Sequence, residues 1–156
     1  MKTRILLLMV LVLIAVVGMV TNGAVATPSL PENVKITPPD PSLPPENLAF
    51  FGKSGKWSGT YHVPMTAKMA EVLLVFKKMT KDEAEVLMII EGDVGIATSP
   101  SGKEWTGSFV KRGRKILLSF YNTEFWINKN GFLEGDMIAR GTWGTSRNTF
   151  LLKSID

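Results

Sequence analysis

From Leu48 onward the chain alternates apolar and polar positions in short runs, and such alternation is typical of β-strands with one buried face. We predict strands at 55–63, 70–78, 84–91, 104–110, 115–121, 124–128, 131–139 and 148–155. Asn130-Gly131 and Gly113 lie between strands and tolerate the positive φ of hairpin turns. About eight short strands at regular spacing predict an all-β domain, either an up-and-down antiparallel barrel or a sandwich.

The second and third predicted strands are apolar on both faces, as VLLVF and VLMII show. Their outer face therefore needs a cover, which is the proline-rich segment before the domain, a short helix or another chain. A homodimer through this face is one hypothesis. The stretch 66–79 is also rich in helix formers, and a helix there would make the fold α+β. We favour a strand, because VLLVF is β-branched and aromatic.

The first 26 residues have the layout of a secretory signal peptide. Lys2 and Arg4 precede a long apolar run, and Ala24-Val25-Ala26 supplies the small residues of a cleavage site, which predicts cleavage after Ala26. The alternative is an uncleaved membrane anchor, because the run is long enough to span a bilayer. Either case places the remaining chain outside the cytoplasm, secreted or periplasmic.

Residues 27–47 hold seven of the nine prolines. Proline lacks an amide donor and fixes φ, so we predict an extended linker without helix or central strand. The barrel domain then covers residues 48–156.

Charge and cysteine content narrow the functional classes. The first 26 residues carry two of the 18 Lys and Arg and none of the 14 Asp and Glu, so the remainder has a net charge of +2. That charge is too small to indicate nucleic-acid binding. The absence of cysteine excludes disulfides, thiolate metal sites and cysteine nucleophiles.

The triplet Gly55-Lys56-Trp57 opens the first strand and resembles the G-x-W signature of the calycin group, which includes lipocalins, fatty-acid-binding proteins and avidin-type barrels. The stretch GKWSGTY is also similar to small secreted bacterial proteins. The calycin resemblance implies a small closed barrel, with Gly55 and Trp57 at one end and a late arginine, Arg140 or Arg147, packed across the tryptophan. The chain is shorter than lipocalins and lacks their disulfides.

A hollow barrel of this kind implies a ligand pocket. Trp57, Tyr61, Trp105 and Phe109 would project inward and line an apolar site with a few polar groups. We therefore predict non-catalytic binding of a small apolar or amphipathic ligand. The alternative is that these rings fill the core and the protein self-associates or docks through its apolar outer sheet face.

Other chemical groups do not assemble into a catalytic site. His62 is the only histidine and has no evident nucleophile beside it. Glu134 and Asp136 share a strand face and could form a carboxylate pair, and Glu91 and Asp93 could supply calcium ligands, but a solvated strand and a plain loop explain them. We predict no enzyme activity, no metal and no cofactor.

The sequence KRGRK places four positive charges in a predicted hairpin turn: Lys111, Arg112, Arg114 and Lys115. Such a turn either touches an anionic surface or is a solvated tip that keeps strands from pairing with other sheets.

Overall fold

The computed structural model describes residues 27–64, 68–92, 102–141 and 144–156. The predicted signal peptide, residues 1–26, lies outside these ranges.

Within the described residues, eight antiparallel strands close into one barrel, in which each strand pairs with its sequence neighbours and β1 pairs with β8. The strands are β1 Lys56–Val63, β2 Lys68–Met79, β3 Glu83–Glu91, β4 Lys103–Arg112, β5 Lys115–Phe120, β6 Thr123–Ile127, β7 Leu133–Gly141 and β8 Gly144–Ile155. The predicted all-β barrel is confirmed. The stretch 66–79, for which a helix was the alternative, is a strand from Lys68 onward. Its alternate residues face the barrel interior and a second apolar cluster outside the barrel.

A short helix, α1, spans Pro45–Phe51 directly before the first strand, where we expected none. Proline is compatible with the first helical turn, because the amide groups there have no intrahelical acceptor. Asn47 on this helix is buried, and its Nδ2 donates to the carbonyl of Lys81 at 2.7 Å. This bond fixes the helix against the β2–β3 turn.

Two turns differ in detail from their predictions. Tyr121 is not a strand residue but forms the β5–β6 turn with Asn122, and their φ angles are 42° and 54°. Two central residues with positive φ are typical of a type I′ hairpin. The Asn130-Gly131 pair lies in a longer loop. There the Asn128 side chain accepts hydrogen bonds from the amides of Asn130 and Phe132, at 2.8 and 3.0 Å.

The proline-rich segment lies on the barrel rather than extending from it. We call Leu73, Val75, Leu87 and Ile89 the outer wall, since they form a buried cluster separate from the barrel interior. Leu30, Val34 and Ile36 pack against this cluster. The amide of Thr37 donates to the carbonyl of Lys77 at 2.8 Å. Residues 28–37, the strap, therefore cover the face that we had offered for a homodimer.

Placing charges on the inner side of the strap should uncover this face. We expect Val34→Asp with Ile36→Asp to detach the strap, because two carboxylates cannot stay against an apolar surface without partners. The exposed outer wall then favours self-association. Light scattering should show a mass above that of the monomer at micromolar concentration.

The matched control is Lys35→Asp, which changes charge at an exposed position of the same segment. It should leave the protein monomeric. A monomeric double variant with unchanged urea unfolding would contradict the covering role of the strap.

The barrel has two distinct ends. The lower end carries α1 and the β2–β3, β4–β5 and β6–β7 connections, whereas the upper end carries the other strand connections. Inward positions are mostly large and apolar, but Gly107 and Gly135 also face inward. A Cβ on Gly135 would lie 2.5 Å from the ring of Phe125, so the glycine provides room for that ring.

Candidate ligand-binding site

The lower end of the barrel is filled by a cluster of four aromatic rings. This lower cluster consists of Phe50, Trp57, Phe76 and Phe109. The centroid of Phe50 lies 6.4 Å from that of Phe76 and 5.3 Å from that of Phe109. The indole nitrogen of Trp57 donates to the carbonyl oxygen of Phe50 at 2.7 Å. Helix α1 thus closes this end of the barrel through the side chain of Phe50 and the bond to Trp57.

Gly55 and Trp57, for which we predicted a barrel-closing role, lie where α1 leads into β1. Gly55 has a φ of 78°, and a Cβ there would lie 2.8 Å from the ring of Phe51. Its carbonyl accepts a hydrogen bond from the amide of Phe76 at 2.7 Å. A glycine at this position lets the chain leave α1 and enter β1 close to the rings, which places Trp57 inside the barrel.

Arg147 does not provide the expected cover for Trp57. Arg147 lies on the outer face of β8 and forms an ion pair with Asp136. Trp57 pairs in register with Ser154, at the other end of that strand, and points inward. Arg140 lies in β7 opposite Thr145, and its side chain is outside the described residues. Helix α1 takes the place that the resemblance assigned to an arginine.

A row of aromatic rings runs through the upper half of the interior and ends at the exposed ring of Tyr121 in the β5–β6 turn. The aromatic row runs through Tyr121, Trp105, Phe120, Phe125, Phe150 and Tyr61. The centroid of Trp105 is 4.4 Å from that of Tyr121, and the centroid of Tyr61 is 4.6 Å from that of Phe150. The four predicted ligand residues are therefore divided. Tyr61 and Trp105 belong to the aromatic row, whereas Trp57 and Phe109 belong to the lower cluster.

Polar side chains accompany the aromatic row. Tyr61 is fully buried, and its hydroxyl oxygen accepts a hydrogen bond from Nδ2 of Asn148 at 2.6 Å. The hydroxyl of Ser146 donates to Oδ1 of Asn148 at 3.2 Å. Thr123 is also buried and donates to the carbonyl of Tyr121 at 3.1 Å. These hydrogen bonds offset part of the cost of placing polar groups inside a barrel.

Sequence reasoning missed Asn148, although a signal for it was present. Asn148 shares the inward face of β8 with Phe150 and Leu152, two positions apart in each case. An asparagine at an inward position of an otherwise apolar strand face marks a buried polar group.

Trp105 leaves one buried hydrogen-bond donor unused. It lies inward on β4, partly buried, with its ring against Phe120 and Tyr121. Its Nε1 is buried, and no group in the described part of the chain accepts its hydrogen. An unsatisfied buried donor is uncommon in folded proteins and calls for a specific explanation.

Burial raises the pKa of Tyr61 above its ordinary value of 10.0, and the hydrogen bond from Asn148 opposes this effect only in part. The cause is the cost of a phenolate in an apolar interior. The folded protein therefore keeps Tyr61 neutral at a pH where an unfolded chain ionises it.

We expect this difference to destabilise the protein at alkaline pH. Between pH 10.0 and the folded pKa the unfolded state binds fewer protons, so the free energy of unfolding falls as the pH rises. The slope from this group approaches about 1.4 kcal/mol per pH unit. Urea unfolding from about pH 9 to about pH 12 would measure it.

Two variants isolate the contribution of Tyr61. Tyr61→Phe should have a shallower alkaline loss than the wild type, whereas Tyr121→Phe should keep the wild-type slope because it retains Tyr61. Equal slopes in all three proteins would contradict the assignment.

The other side chains considered for catalysis, Glu134, Asp136 and His62, lie on the outer face of the barrel, and the two carboxylates bind groups of the protein itself. Glu134 accepts hydrogen bonds from Nε1 of Trp126 at 3.0 Å and from Nδ2 of Asn128 at 2.7 Å. Asp136 pairs with Arg147 on the outer face, so the two carboxylates serve separate contacts. His62 lies half-buried on the outward face of β1.

Two further groups lie at the strand ends. Glu91 ends β3, and Asp93 lies outside the described residues.

In the basic hairpin, the guanidinium of Arg112 binds both carboxylate oxygens of Glu124, at 3.0 and 2.6 Å. Lys111, Arg114 and Lys115 are exposed at the lower end. Their contact with an anionic surface stays a prediction.

The described residues contain no group of three or more His, Asp or Glu side chains placed to hold a metal ion. Within the same residues, no helix is both long and apolar enough to cross a membrane.

A cleft of about 460 Å³ lies outside the barrel, near its upper end. Its lining includes Asn122, Glu124, Asp136, Ile138 and Arg147. The volume suits a small molecule. However, both of its carboxylates already bind arginines, so its charges are matched within the protein.

Comparisons with known proteins give one structural likeness. No protein-family model matches the chain, and no curated protein matches it. Among solved structures, the chain is similar to zebrafish ileal bile acid-binding protein complexed with cholic acid, with a TM-score of 0.39 and 14% sequence identity. The alignment covers 64% of this chain and 95% of that chain. A likeness at this level says nothing about what this chain binds.

Proposed function

We propose that this protein is an exported, non-catalytic barrel that binds one small apolar or amphipathic molecule inside its upper half. The aromatic row would contact the apolar part of the ligand, and the polar groups beside it would set the ligand's orientation. Helix α1 and the lower cluster would form the floor of the site.

The observation that carries this proposal is the uneven distribution of polar groups inside the barrel. The polar groups buried at the lower end, the indole of Trp57 and the amide of Asn47 on α1, both donate to backbone carbonyls, those of Phe50 and Lys81. The upper half buries Thr123, Asn148 and the hydroxyl of Tyr61, together with the unpaired donor of Trp105. A barrel that only needed a filled core would gain stability from apolar side chains at these positions.

The test is native mass spectrometry of the protein secreted from the full chain and purified without detergent. We expect a reproducible additional mass that is lost under denaturing conditions. Ala70→Leu should reduce it, because Ala70 is buried on the inward face at the upper end and a larger side chain takes up ligand space. Met69→Leu is the matched control, because Met69 is the exposed neighbour on the same strand.

The two other outcomes separate the alternatives. A bare monomer, with no mass gained from added lipids, would contradict the proposal and favour a filled core. A bare dimer would favour the interaction function through the outer wall. The interaction function would require the strap to detach, because Leu30, Val34 and Ile36 pack against the outer wall in the structure.

A further inference from the structure

We infer that the ligand is uncharged and that an acceptor oxygen of an ester, ketone or amide group receives its hydrogen bond from Nε1 of Trp105. This inference rests on the proposed function, since it names the chemical class that the same site would take.

The three described tryptophans differ in how their indole nitrogens are satisfied. Trp57 donates to the carbonyl of Phe50 at 2.7 Å, and Trp126 donates to a carboxylate oxygen of Glu134 at 3.0 Å. Trp105 donates to no group in the described part of the chain, although its nitrogen is buried. A buried N–H without an acceptor is costly, and a ligand oxygen at this position would remove the cost.

Tyr61 provides a second donor at the other end of the aromatic row. Its hydroxyl oxygen already accepts a hydrogen bond from Asn148, whose own oxygen accepts one from Ser146. Because the oxygen acts as the acceptor in that bond, the hydroxyl hydrogen is not used in it and can be donated to a ligand. The unpaired donor of Trp105 and the hydroxyl of Tyr61 together favour a ligand that supplies acceptor atoms.

Among the described residues, the buried side chains of the barrel offer no counterion to a charged ligand. The described buried polar side chains are Asn47, Thr123 and Asn148, and none of them carries a charge. A carboxylate brought into this interior would lose its hydration without meeting a cation among the described buried side chains. A neutral carbonyl accepts the same hydrogen bond at a much smaller desolvation cost.

The apolar part of the ligand follows from the rest of the lining. Between the two donors the row contains Phe120, Phe125 and Phe150, with neighbouring centroids 5.4 and 5.1 Å apart. Such rings favour an aliphatic chain or a ring system over a polar body. The class is therefore a lipid-like ester, ketone or amide.

The experiment compares methyl laurate with laurate, which share one acyl chain and differ in charge. Protein labelled with nitrogen-15 reports each indole N–H as a separate resonance, and Trp105→Phe identifies the resonance of Trp105 by its loss. Titration of each lipid gives an affinity and shows which indole responds. Trp126→Phe is the matched control, because Trp126 lies on the outer face and has its own acceptor.

We expect methyl laurate to bind more tightly than laurate and to shift the Trp105 resonance. We expect Trp105→Phe to weaken ester binding about fivefold, as for loss of one neutral hydrogen bond, with no change in Trp126→Phe. Laurate binding at least as tightly, or an unmoved Trp105 resonance on ester binding, would overturn the inference and leave the proposed function standing. If neither lipid binds and the secreted protein carries no additional mass, the proposed function fails and the inference fails with it.

Discussion

Replacing Trp57 with alanine is expected to lower the free energy of unfolding by about 4 kcal/mol. Trp57 is 2% exposed and lies in the lower cluster, so the change leaves a cavity at the closed end of the barrel. It also removes the hydrogen bond to the carbonyl of Phe50, which links the barrel to α1. Urea unfolding followed by circular dichroism would measure the loss.

The control for this change is Trp126→Ala. Trp126 is only partly buried on the outer face of β6, and its indole donates to Glu134. We expect a clearly smaller loss than at Trp57, because less apolar area returns to water. Equal losses in the two variants would mean that the lower cluster does not hold the barrel closed.

Replacing Gly59 with alanine is expected to destabilise the protein by about 3 kcal/mol, through overpacking. A Cβ at Gly59 would overlap the carbonyl oxygen of Leu151 and lie 2.9 Å from the Cα of Leu152. Those atoms belong to the backbone of β8, the strand whose pairing with β1 closes the barrel. The backbone must shift to make room, so the closing hydrogen bonds are strained. Thermal and urea unfolding would both report the loss.

Replacing a glycine inside a strand with alanine usually stabilises a protein by about 0.5 to 1 kcal/mol. A destabilising effect of Gly59→Ala would therefore point to a steric clash. Gly107→Ala is the control. A Cβ there would first meet side-chain atoms, Cδ1 of Leu118 at 2.8 Å and Cδ1 of Phe120 at 3.0 Å, which can shift more readily than the backbone of a paired strand. We expect a change within about 1 kcal/mol at Gly107. A neutral or stabilising effect at Gly59 would contradict the close approach of β1 and β8.

Much of the site was beyond the reach of sequence analysis, for identifiable reasons. Tyr61 and Trp105 lie on the inward faces of β1 and β4, and strand alternation decides the face of each residue. Alternation does not give the height of a residue along the barrel axis. The grouping of Trp57 and Phe109 with Phe50, and of Tyr61 and Trp105 in the aromatic row, depends on strand register.

The arginines show the same limit. The resemblance implied that Arg140 or Arg147 packs across Trp57, but Arg147 lies on the outer face of β8 with Asp136 as its partner. Asp136 on β7 pairs with Thr149 on β8, and Arg147 lies two residues before Thr149 on the same face. This register brings the charges of Asp136 and Arg147 close together. Only the pairing of the strands shows which residues near the C-terminus contact which residues nearer the N-terminus.

By itself, the sequence determined the number, type and approximate limits of the strands, because side-chain periodicity and turn-forming residues act locally. It also showed that the outer face of β2 and β3 needs a cover. Tertiary structure alone decided that the strap is this cover, that α1 closes the lower end, and that the Nε1 hydrogen of Trp105 has no acceptor among the described groups. Each of these depends on contacts between residues far apart in the chain, whose pairing is set by packing and register rather than by local pattern.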